Sequence, residues 1–209
     1  MKIIGLTGPT GAGKSTLCAR FEELNIPCIN TDEVYHKLTS SPSPCLDELK
    51  NVFGDKIINE NGSLNRKALA SVVFEGENAK SNLSLLNAIT HKYVWEETKA
   101  ILTLHKNNGK VAAVIDAPAL FSAKVFVEAC DFILSVLCDK ETRAERIIAR
   151  DNISYEQAMA RINAQPSDEF FIQNSDYYIY STSDIDSTAK QLDSILIKEE
   201  IYTNEKEQA

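Results

Sequence analysis

Gly8-Pro9-Thr10-Gly11-Ala12-Gly13-Lys14-Ser15 decides how this chain of 209 residues folds. Ahead of it, Met1-Lys2-Ile3-Ile4-Gly5-Leu6-Thr7 has an apolar centre that predicts a short buried strand. Behind it, Thr16-Leu17-Cys18-Ala19-Arg20-Phe21 predicts a helix. Glycine first, glycine sixth, then Lys and Ser, set between a strand and a helix, is the pattern of a phosphate-binding loop. Glycines let successive backbone N–H groups turn inward around phosphate oxygens, and the helix start adds the positive end of its dipole. Gly8, Gly11, Ala12, Gly13, Lys14, Ser15 and Thr16 are therefore the candidate nucleoside triphosphate site. Lys14 would reach the β- and γ-phosphates, and the Ser15 hydroxyl would hold Mg²⁺. A chance Gly-rich turn is the alternative, and the strand–loop–helix context weighs against it.

Working outward, the length suits one α/β domain with an insertion. The net charge of −8, without a Lys/Arg-rich run, argues against nucleic acid as the main partner. A few local cations can still focus a positive field on a phosphate site. The amino-terminal segment is too short, and too soon broken by Gly8-Pro9, to be a signal peptide. No apolar run approaches the roughly 20 residues of a membrane-spanning helix. The five cysteines form no CxxC pair and have no His at metal spacing, which predicts small core residues in a reducing cytosol.

Asn25 to Asn30 predicts a second strand, and Thr31-Asp32 opens a helix over Glu33 to Leu38. Asp32 falls just past a strand's carboxyl end, where open α/β sheets place their ligands. Asp32 or Thr31 could equally be a helix cap. Ser40-Ser41-Pro42-Ser43-Pro44 ends that helix. From Leu64 to about Lys106 apolar residues recur near the 3.6 period, too much helix for a single crossover, which predicts a helical insert. Arg66, His91 and Lys92 are polar points on it, each compatible with a solvated face. Val111 to Asp116 reads as a central parallel strand ending in a carboxylate, either a Walker-B-type acid or a turn residue. Phe132 to Leu137 predicts a fourth strand and Tyr177 to Ser181 a fifth. Asp184 opens a final helix, and Thr203 to Gln208 is a polar tail. Between the last two strands Arg143, Arg146 and Arg150 share one helical face, with Arg161 beyond. They fit a solvated face paired to Glu141, Glu145 and Asp151, or a lid that brings guanidinium groups onto a transferring phosphoryl.

Together these parts predict a small-molecule kinase. A GTPase would need switch loops and an Asn-Lys-x-Asp motif, which the chain lacks. The ordered set also resembles the dephospho-CoA kinase family over nearly the whole length. The resemblance rests on Ile4-Gly5-Leu6-Thr7-Gly8 with Gly13-Lys14-Ser15-Thr16, on Asp32 with His36, and on Phe53-Gly54. It continues through Gly62 to Leu69, Val73-Phe74, His91, Asp116-Ala117-Pro118-Ala119-Leu120-Phe121, Arg143 to Asp151, and Arg161-Ile162-Asn163-Ala164-Gln165. Asn30, Lys92, Ala119, Ser122, Ser181 and Ser183 depart from the usual pattern.

The resemblance implies an α/β, P-loop NTPase-type three-layer fold with a mostly parallel five-stranded sheet. It implies one kinase domain over residues 1–209, with a helical acceptor-binding insert at 60–106 and an Arg-rich lid at 140–175. The expected reaction is ATP-dependent phosphorylation of the ribose 3′-hydroxyl of dephospho-CoA, with Mg²⁺. Asp32, Lys14 and Arg146 are the expected catalytic residues, and Arg143 and Arg150 join the loop in binding ATP. Asp32, His36, Arg66, His91, Asp116 and Arg161 would hold the acceptor, and Asp116 is a further candidate beside Ser15 for the metal. A cytoplasmic monomer or weak homo-oligomer, without membrane or nucleic-acid partners, is expected. Another P-loop nucleoside or nucleotide kinase is the alternative, as is a nucleotide-binding regulatory protein without transfer activity.

Overall fold

The computed structural model describes residues 1–75, 77–182 and 184–202; Ser183 and Thr203 to Gln208 lie outside the described residues. The chain divides into two compact units, Met1–Ile29 with the chain from Leu104 onward, and Asn30–Thr103.

The first unit is built on a five-stranded sheet. Its strands are β1 (Lys2–Thr7), β2 (Cys28–Asn30), β3 (Ala112–Asp116), β4 (Phe132–Leu137) and β5 (Tyr177–Tyr180), in the order β2-β3-β1-β4-β5. β1 pairs in parallel with β3 and β4, and β4 with β5. β3 and β4 are buried at every position, as their unbroken apolar runs require of strands covered on both faces. The register sets Leu6 opposite Asp116, and Thr7 opposite Ser135. β1 is thus central, with strands added on either side, and its carboxyl end opens at the switch point where such sheets bind ligands.

Helix α1 (Lys14–Glu23) buries Leu17 and Phe21, and α10 (Ile185–Lys198) buries Leu192 and Leu196 in the same core as Ile4, Leu6, Val114, Leu134, Val136 and Ile179. Asp184 caps α10, accepting from the Ser187 N–H at 3.1 Å, and an Arg20–Asp193 ion pair at 2.8 Å links the two helices.

Between β4 and β5, across the expected lid, lie three helices: α7 (Lys140–Asp151), α8 (Tyr155–Asn163) and α9 (Asp168–Asn174). Asn152, at φ 51°, ends α7, and Ser154 with Gln157 forms a reciprocal capping box at the start of α8. Ala144, Ile147, Ala158 and Ile162 close this hairpin with a small core of its own. Pro166 then interrupts, and Ser167 caps α9.

The second unit holds α2 (Thr31–Ser40), α3 (Pro44–Phe53), α4 (Arg66–Phe74) and most of α5 (Ala79–Asn107). It begins at Asn30, upstream of the 60–106 span, because α2 and α3 supply Leu38, Cys45, Leu46, Leu49 and Phe53 to the core that also buries Leu69, Val73 and Ile89. The short helix α6 (Lys124–Ala129) precedes β4 in the first unit. No helix among the described residues is long and apolar enough to cross a membrane.

Candidate active site

In the first unit, β1 runs directly into the glycine loop. Gly8 sits at φ 140°, and a Cβ there would stand 2.2 Å from the Val136 carbonyl oxygen of β4, so only glycine lets the chain leave the sheet here. Gly13 opens α1 at φ 101°, and a Cβ there would meet the Ser181 Oγ at 2.7 Å. No side chain caps α1. The helix start, with the positive end of its dipole, is therefore met by no Ser or Asp oxygen, the setting in which a helix takes an anion. Lys14 Nζ donates to the Gly8 carbonyl at 3.1 Å, which folds its ammonium over the loop, while the Ser15 side chain is exposed at the first turn. Asp116, at the end of β3, is 8% exposed.

The arginines that look alike in sequence take three different roles. Arg143 is only 2% exposed. Its Nε donates to the Thr10 carbonyl at 2.9 Å and its Nη2 to the Gln165 Oε1 at 2.9 Å. Burial pushes its guanidinium below the usual range, but a guanidinium remains charged throughout the ordinary pH range. Arg146 Nη1 reaches the Gly11 carbonyl at 3.1 Å and the Ser181 hydroxyl at 3.3 Å, and its Nη2 reaches the Thr182 carbonyl at 3.3 Å. Arg146 thereby ties the loop to the segment after β5. Arg150 is exposed and forks onto Asp151 at 2.7 and 3.0 Å, and Arg161 binds the same carboxylate at 2.5 Å. The two guanidiniums hold the Asp151 carboxyl down at about 2. Of the expected ion pairs, those to Asp151 form; Glu141 instead accepts from the Tyr155 hydroxyl at 3.1 Å. The structure thus gathers Arg143 and Arg146 at the loop and leaves Arg150 and Arg161 together on Asp151.

In the second unit, Asn30 rather than Asp32 or Thr31 caps α2. Its side chain accepts from the N–H groups of Asp32 and Glu33 at 3.0 and 3.1 Å. Asp32 lies in the exposed first turn, four residues ahead of His36 and so on the same helical face. The His36 Nδ1 is 3.0 Å from Arg66 Nη2, which also donates to the Thr39 hydroxyl at 3.1 Å, and the Arg66 guanidinium lies over the Tyr35 ring at 5.1 Å. Two expected acceptor residues 30 positions apart are thus joined. Tyr35 and Thr39 were missed, although their spacing about His36 places them on neighbouring parts of one face. His91 is half-buried on α5, outside this hydrogen-bonded group, and burial holds its imidazole below the ordinary value. Lys92 keeps α5 continuous where a proline would break it, and pairs with Glu48 at 3.0 Å.

The model of a protein family, described as dephospho-CoA kinase, matches residues 2–187. The chain belongs to the dephospho-CoA kinase family. A Bacillus cereus protein named dephospho-CoA kinase is 37% identical over 196 residues, 94% of this chain and 96% of that one. Among solved structures, one from Thermus thermophilus superposes with a TM-score of 0.78 at 26% identity, covering 94% of this chain and 97% of that one. A dephospho-CoA kinase from Campylobacter jejuni shares the fold, with a TM-score of 0.67 at 23% identity over 96% of this chain and all of that one. The family match over residues 2–187 covers the glycine loop of the first unit and the whole of the second unit.

Proposed function

We infer that the chain transfers the γ-phosphoryl group of ATP to the ribose 3′-hydroxyl of dephospho-CoA, giving coenzyme A and ADP, the last step of coenzyme A biosynthesis. The family match over residues 2–187 carries this reading. The uncapped start of α1 after a glycine loop supports the nucleotide end of it.

The loop amides and Lys14 bind the triphosphate, and Lys14 exchanges the Gly8 carbonyl for phosphate oxygens. Arg146, already at the loop, meets charge on the transferring group. Asp32 accepts the acceptor hydroxyl's proton, and His36 with Arg66 binds the acceptor's anionic groups. Arg143 is engaged under the loop, so we assign it to holding the loop rather than to touching the nucleotide. Ser15 and the buried Asp116 offer a hydroxyl and a carboxylate oxygen, hard donors of the sort Mg²⁺ takes one or two of beside phosphate. Bound there, the ion supplies neutralisation of phosphate charge. Five thiols, none in a disulfide, suit a reducing cytosol.

The test is ADP release with ATP and dephospho-CoA, set against a panel of nucleosides and nucleotides as acceptors. Turnover confined to dephospho-CoA is expected. Equal turnover with a nucleoside would move the chain to another acceptor, and ATP binding without any acceptor-dependent turnover would make it a nucleotide sensor.

A further inference from the structure

Gln165 stands just beyond α8, in the connection to α9. Its side-chain carbonyl is a shared acceptor: Oε1 receives the Thr10 backbone N–H at 3.0 Å and Arg143 Nη2 at 2.9 Å. Both partners are donors, so the amide can face them only through its oxygen. Arg143 Nε closes the circuit on the Thr10 carbonyl at 2.9 Å. The backbone of Thr10 is therefore held on both its sides, the N–H of one peptide group and the C=O of the next, by side chains from the start of α7 and from just past the end of α8. Arg143 comes from the first turns of α7, and Gln165 lies three residues past Ile162 of α8. The hairpin core of Ala144, Ile147, Ala158 and Ile162 holds these two ends at a set separation. Arg143 is buried and the acceptors it reaches here, the Thr10 carbonyl and Gln165 Oε1, are neutral, with the Asp168 charge acting on it as well, so the geometry is costly to disturb.

We propose that Gln165 is a positioning residue for the phosphate loop, coupling the placement of the Thr10 peptide to the pose of the Arg-rich hairpin. This rests on the reading of Gly8 to Ser15 as the nucleotide site. The Thr10 N–H, held outward by Gln165, is kept from competing for phosphate, and the amides further along the loop stay turned toward the ligand. Movement of the hairpin pulls on Thr10 directly, and an ordered loop in turn favours one hairpin pose.

The experiment compares Gln165→Leu, which removes the acceptor at similar volume, with Gln165→Glu, which keeps it. ATP affinity is measured by calorimetry without acceptor, together with Tm and with hydrogen exchange of the peptide covering residues 8–15. Gln165→Leu should weaken ATP roughly 10- to 100-fold, the range set by losing a hydrogen bond to a charged partner. Exchange over the loop should rise, and Gln165→Glu should bind within about threefold of the parent at about 0.3 M salt, where its repulsion of the triphosphate is screened. Should Gln165→Leu fold poorly, Gln165→Asn, one methylene too short to meet both donors, carries the same expectation. Parent-like ATP affinity in the folded variant that lacks the reach, or a Glu variant as weak as the Leu variant, would overturn the coupling alone. A parent chain that binds no ATP would overturn the nucleotide-site reading and the coupling with it.

Discussion

At the scale of single residues, Asn30 does the capping at the start of α2 that Asp32 could have done. Asn30 accepts the first-turn N–H groups of α2, which leaves the exposed Asp32 side chain outside the cap. Asp32→Asn should therefore leave Tm within about 1–2 °C, since only a first-turn charge on the helix dipole is lost. Acceptor-dependent ADP release should fall roughly 10²- to 10⁴-fold, the usual cost of removing a general base. A variant that phosphorylates dephospho-CoA at close to the parent rate would remove Asp32 from the chemistry and turn attention to Asp116. His91 yields a pH dependence. Burial lowers its pKa in the folded chain, so as pH falls the unfolded chain takes up the proton first. Its contribution to stability is present above about pH 6.5 and is lost as pH drops below that value. His91→Gln should flatten the fall in Tm between about pH 7 and pH 5.5 relative to the parent. Parallel curves for the two proteins would show that His91 is not the group responsible.

Among the elements, the α7–α8 hairpin is the one whose sequence is most misleading. Three arginines at helical spacing look equivalent, yet Arg143 is buried against the loop and Arg150 is exposed on Asp151. The difference follows from which side of α7 the hairpin core lies on, and that is set by Ala144 and Ile147 meeting Ala158 and Ile162. Ile147 is fully buried. Ile147→Ala should cost about 2–5 kcal/mol, borne mostly by this small satellite core. Hydrogen exchange over residues 140–163 should accelerate, while amides of β1 and β4 keep their protection. Uniform acceleration across the sheet as well would mean that the hairpin does not open on its own.

For the whole molecule, the central sheet carries the stability. Leu134 is fully buried in β4, within the cluster that joins β1, β3, α1 and α10. Leu134→Ala should destabilise by about 3–5 kcal/mol. For a chain of this size that lowers Tm by about 6–20 °C in a circular-dichroism melt. A shift under about 2 °C would contradict the packing of this core. The helical unit keeps a separate core of Leu49, Phe53, Ile57 and Val73, so the same substitution should leave protection in α3 and α4 less affected than in β1.

The sequence by itself determined the strand–loop–helix at Gly8 to Ser15, the five strands and the helical character of the stretch after Leu64. Those features are encoded over a few neighbouring residues: apolar runs that demand burial, a 3.6-residue period, and loop glycines at Gly8, Gly11 and Gly13 that take positive φ. Only the tertiary structure decided that Asn30 is the cap, that Arg66 reaches His36 and Thr39, and that Gln165 holds Thr10. Each of these joins groups whose meeting depends on how elements distant in sequence pack, or on which of several competent side chains is closer. Local spacing carries the identity of a donor or acceptor, but the partner it finds is set by the packing of cores that lie elsewhere in the chain.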